Sequence, residues 1–93
     1  MAEKKTLFVF YTFADNAKSF EWDYNGLPKS WQWIGKGTTN AIGEPNMEYE
    51  IEEQFSGDAF NNNYVRLYLM NLFMELKEKK VVQKFKIRSN YLP

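Results

Sequence analysis

Apolar residues occupy both alternating sets of Thr6 to Phe13, TLFVFYTF. A stretch that is β-branched and aromatic on both faces has the pattern of a strand covered on both sides, so a central strand is predicted there. Two groups of breakers, Asn25-Gly26-Leu27-Pro28 and Gly35-Lys36-Gly37, punctuate the next part of the chain. Around the first of them the aromatics recur at every second residue (Phe20, Trp22 and Tyr24, then Trp31 and Trp33), which predicts short strands at Ser19–Tyr24 and Ser30–Ile34 joined by a turn over Asn25–Lys29. A helical turn after Asp15 is the alternative. Residues 35–46 are rich in Gly, Thr, Asn and Pro and read as a loop.

Alternation returns in MEYEIEEQF, Met47 to Phe55, a strand that Ser56-Gly57-Asp58 would end. Asp58 is a good N-cap for a helix over Ala59–Lys80, about 20 residues or 30 Å long. Val65, Leu69, Leu72 and Leu76 fall on one stripe of that helix, flanked by Tyr68 and Phe73, and are its predicted core face. Val81–Arg88 alternates again as the last strand, and Ser89–Pro93 is a tail that frays.

These elements predict an α+β fold in a single domain spanning residues 1–93. A twisted, mostly antiparallel sheet of four or five strands carries one long helix, about Asp58 to Lys80, on one face, and the last strand returns beside that helix. The strand, helix, strand run from Met47 to Arg88 forms a βαβ unit if both strands lie in one sheet.

Charge changes the picture, because twelve basic and twelve acidic residues cancel without being mixed. Between Asn40 and Tyr64 the charges are Glu44, Glu48, Glu50, Glu52, Glu53 and Asp58, with no Lys or Arg. Between Lys77 and Arg88 six cations (Lys77, Lys79, Lys80, Lys84, Lys86 and Arg88) stand against Glu78. In a strand Glu48, Glu50 and Glu52 project from one face at roughly 7 Å intervals, a row that suits a basic cleft on a partner protein. Lys84, Lys86 and Arg88 form a matching cationic row, so neighbouring strands would neutralise the two rows internally. Glu53 has the opposite register, toward the apolar side, which suggests a sheet edge or a bulge in its strand.

Three further features carry candidate chemistry. Leu67, Met70 and Met74 cluster opposite the helix's core stripe, a contact for another protein or a second copy of this chain unless the Gly35–Asn46 loop or the short aromatic strands fold over them. Trp31 and Trp33 beside Lys29 and Lys36 could stack on bases, with Lys84, Lys86 and Arg88 on phosphates, although aromatics at this spacing are more often core. GKGTT lacks the spacing of a phosphate loop, since Lys36 is followed by Gly37.

Composition narrows the function. With no histidine and no cysteine, the commonest general base, the thiol nucleophile and the usual transition-metal ligands are absent. Asp15, Glu21 and Asp23 flank the aromatic stretch, but acids beside turns usually cap backbone amides, so no catalytic residue, metal or cofactor is assigned. No apolar window approaches the roughly 20 residues of a transmembrane helix, and the patterned start of the chain does not read as a signal peptide. The expectation is a small, non-enzymatic cytoplasmic protein that binds another protein through Glu48, Glu50, Glu52 and Glu53 or through the Leu67, Met70 and Met74 face. A phage- or mobile-element-type inhibitor of a host protein, acting in the host's cytoplasm, fits that description. The competing reading is a nucleic-acid-binding accessory protein.

Overall fold

A computed structural model describes residues 4–14, 26–42 and 48–89. Four strands, β1 (Lys4–Phe13), β2 (Trp31–Ile42), β3 (Glu48–Asp58) and β4 (Val82–Ser89), form one sheet in the order β2-β3-β1-β4. Every neighbouring pair is antiparallel, so β3 and β4 run parallel to each other with β1 between them. A helical turn at Ala59–Asn61 leads into α1 (Asn62–Glu78), which connects β3 to β4 and makes a split βαβ unit. This is the α+β architecture that the sequence predicts. No helix among the described residues is long and apolar enough to cross a membrane.

The odd-numbered side chains of β1 face α1. Leu7, Val9 and Tyr11 pack with Phe55 of β3, Val82 of β4 and Val65, Leu69 and Phe73 of α1, all but excluded from water. Phe73 is the centre of the aromatic part of the core, 5.2 Å from the Tyr11 ring and 5.8 Å from the Phe85 ring. The core stripe is rotated slightly from the predicted one: Phe73 is fully buried, whereas Leu72 and Leu76 are half-buried against its margin.

Several boundaries move for identifiable reasons. β3 continues to Asp58 because Ser56, Gly57 and Asp58 are still paired with Thr6, Lys5 and Lys4 of β1. Asp58 does act as a cap, accepting a hydrogen bond from the Phe60 N–H at 2.9 Å, but it caps a 3-10 turn and the α-helix begins only at Asn62. At the other end Lys80 takes a left-handed φ of 63°. Its N–H donates to Lys77 and that of Val81 donates to Leu76, so the last carbonyls of α1 are satisfied in a Schellman motif and the chain turns straight into β4. β4 then includes Ser89, whose hydroxyl meets the Arg66 guanidinium of α1.

The largest correction concerns residues 35–42, predicted as loop and found within β2. Long-range pairing with β3 outweighs their weak strand propensity, and the irregularity of the sequence emerges as two register shifts, between Trp33 and Gly35 and between Thr38 and Ala41. The strand predicted at 19–24 lies outside the described residues.

Candidate functional site

Directly paired residues share a face of the sheet, so the register fixes what each face presents. On the face away from α1, β1 contributes Thr6, Phe8, Phe10 and Thr12. Phe10 is paired on one side with Glu52 of β3 and on the other with Lys86 of β4; Phe8 is likewise flanked by Gln54 and Arg88, and Thr12 by Lys84. The acidic and cationic rows therefore do share a face, but β1 stands between them. β3 and β4 are therefore not the adjacent strands on which direct cross-strand pairing of the two rows was conditional: two strand spacings, about 9.5 Å, separate their backbones.

An aromatic row fills the gap. Phe8 and Phe10 are half-buried with ring centroids 6.4 Å apart, and the Lys86 ammonium lies over the Phe10 ring, 5.2 Å from its centroid. Shallow depressions open on either side of Phe10, one lined by Thr12, Glu50, Lys84 and Lys86, the other by Phe8, Glu52 and Arg88. Glu52 accepts a hydrogen bond from Gln54, its neighbour in the same strand. Glu48 opens β3, its backbone paired with Ile42 of β2.

Glu53 belongs to the other face and is buried. Its carboxylate accepts from the Tyr11 hydroxyl at 2.8 Å and from the Trp33 indole N–H at 2.6 Å. It cannot reach a partner protein, and the sequence-based grouping with Glu48, Glu50 and Glu52 is corrected accordingly. Nor is its strand at an edge: β3 is interior, and the bulge lies opposite, in β2, where Ile34 is the extra residue. The two tryptophans sit on this α1 side as well. Trp31 is buried, its indole N–H donating to the Asp58 carbonyl at 2.9 Å, and Trp33 is 40% exposed. The candidate nucleic-acid residues are thus split, Trp31 and Trp33 on one face of the sheet and Lys84, Lys86 and Arg88 on the other.

The outer face of α1 carries the second surface. Leu67, Met70 and Met74 are exposed at 59%, 38% and 49%, so nothing folds over them to the extent of burying them. Tyr64, 58% exposed, extends this face by one turn, and Phe60 in the preceding turn is 89% exposed. The sequence carries a signal for Tyr64, which lies three residues before Leu67, the spacing of one helical face; Phe60 precedes α1 and has no such signal. Phe8 and Phe10 were also missed, because a run apolar on both alternating sets reads as buried on both faces.

Among the described residues no group of His, Cys, Asp or Glu is placed to hold a metal ion. Compared with protein-family models, curated proteins and solved structures, the chain matches none.

Proposed function

We propose that this chain is a non-enzymatic protein-binding module that docks its partner on the outer face of α1. The observation that carries this reading is the set of exposed large apolar side chains at helical spacing on α1, Tyr64, Leu67, Met70 and Met74, preceded by the exposed Phe60 in the turn before it. Isolated apolar residues on a surface are ordinary, but a row at helical spacing presents one contiguous patch whose burial is favourable and which resembles the anchors of a helix laid into an apolar groove. The methionines add adaptability, since their unbranched, polarisable side chains repack against irregular surfaces. Asn63 and Asn71 are exposed among these residues, and Glu75 and Lys77 are exposed at the border as a polar rim.

The finer reading is an inhibitor or modulator of phage or mobile-element type that covers a host protein's surface in the cytoplasm. The absence of cysteine and an abundance of Asn, Lys, Phe and Tyr support it. Nucleic-acid binding is the weaker alternative. It retains Phe8, Phe10 and the β4 cations on one face, but the acidic row beside them repels phosphates and the tryptophans point elsewhere.

Affinity capture with the full chain tests the reading. The Leu67→Asp, Met74→Asp double variant should lose a protein that the wild type retains at moderate salt, with melting temperature unchanged. Retention by that variant, together with loss on Lys84→Glu and Lys86→Glu, would move the docking surface to the sheet and refute the α1 reading.

A further inference from the structure

We propose that the face of the sheet away from α1 binds the same face of a second copy, about a two-fold axis lying along β1. The order of the rows carries the inference. Across three adjacent strands the face runs acid, aromatic, base in the line Glu52, Phe10, Lys86, and the next line is Gln54, Phe8, Arg88. Thr12 and Lys84 continue the central and basic rows, and Glu50 with Lys84 lines a common depression beside Thr12.

An interface between identical copies must be complementary to itself. Two sheets facing each other can be related by a two-fold axis in the plane between them, either along the strands or across them. An axis across the strands sets acid on acid and base on base, which is repulsive. An axis along β1 exchanges the two outer rows and leaves each residue at its own height. Glu52 then faces Lys86 of the other copy, Glu50 faces Lys84, Gln54 faces Arg88, and Phe8 and Phe10 meet their own counterparts. Each pair occurs twice by symmetry. The contact has the geometry of a β-sandwich, with sheets about 10 Å apart and strand directions within about 30° of each other. It covers the half-buried Phe8 and Phe10, and it matches the zero net charge of a chain whose charges are segregated by strand. A strip of one sign would repel its own copy; a strip of both signs flanking an apolar row attracts it. Because α1 lies on the opposite side of each sheet, the dimer would present two outward α1 stripes, neither of which takes part in the contact.

Sedimentation equilibrium on the full chain tests it. The wild type should be a dimer whose dissociation constant rises with salt. Glu52→Lys alone and Lys86→Glu alone should each weaken it at least ~10-fold, since both symmetric pairs become repulsive. An equimolar mixture of these two variants should recover the dimer, because each pair across the mixed interface again joins a carboxylate to an ammonium or presents the charges in exchanged order. To make that complementation complete, the Glu52→Lys, Lys86→Glu double variant should also dimerise as a homodimer, with both pairs reversed and attractive. If any of these variants fails to fold, as read by far-ultraviolet circular dichroism, Glu50→Lys, Lys84→Glu and their double combination provide the same test. A wild type that stays monomeric to millimolar concentration, a double variant that does not regain the association lost by the single ones, or a dimer lost on Leu67→Asp but indifferent to these reversals would each overturn the proposal.

Discussion

The Tyr11 hydroxyl donates a 2.8 Å hydrogen bond to Glu53, joining the two central strands through a side-chain carboxylate that is 1% exposed. A buried acceptor is tolerated only with its donors in place, here Tyr11 and Trp33. Tyr11→Phe should therefore cost about 1 to 3 kcal/mol, the penalty of leaving part of a buried polar group unsatisfied. Tyr11→Phe combined with Glu53→Leu should cost less than the two single changes added together, and urea denaturation of the four proteins measures that coupling.

Gly57 is required for packing. A Cβ at this position would run into the Trp31 ring and the Ser30 carbonyl, neither of which can yield cheaply. Gly57→Ala should destabilise by roughly 1 to 3 kcal/mol, in line with overpacked cores, and its denaturation midpoint should fall without a change in slope.

The two faces of α1 should respond differently to truncation. Phe73→Ala empties a site in contact with Tyr11 and Phe85 and should cost about 3 to 5 kcal/mol. Leu67→Ala, on the exposed face, should stay within about 0.5 kcal/mol of wild type. Thermal melts of both variants decide whether the helix has this phase.

Lys80 holds the left-handed position that ends α1, a conformation in which any Cβ is crowded. Lys80→Gly should raise stability by roughly 0.5 to 1 kcal/mol while keeping the Schellman hydrogen bonds, a gain readable as a higher melting temperature.

Much of this architecture is legible in the residues themselves. Period-two patterning locates β3 and β4 and the apolar stripe locates α1, because in each the side chains that need burial recur at the element's own period; β1 is legible instead as a β-branched and aromatic run apolar on both alternating sets. Residues 35–42 are illegible for the converse reason: Gly35, Lys36, Gly37 and Thr38 are held in β2 by backbone pairing to β3, which leaves no periodic trace. Register within MEYEIEEQF correctly turns Glu53 toward the apolar side, yet no local signal reveals Tyr11 and Trp33 as its donors, 42 and 20 residues away. Strand order is likewise non-local. The acidic and cationic rows share a face as their alternation allows, but only the fold shows that β1, with Phe8 and Phe10, lies between them.

Docking of a partner protein on the outer stripe of α1 is the central claim. Its most direct measurement is photo-crosslinking in the cell, with a photoreactive amino acid placed in turn at Tyr64, Leu67 and Met74, and at the exposed edge residue Gln83 as a control. All three α1 positions should capture the same protein, the product should vanish with Met70→Asp, and Gln83 should not yield it. No product from α1, or the same product from Gln83, would contradict the account.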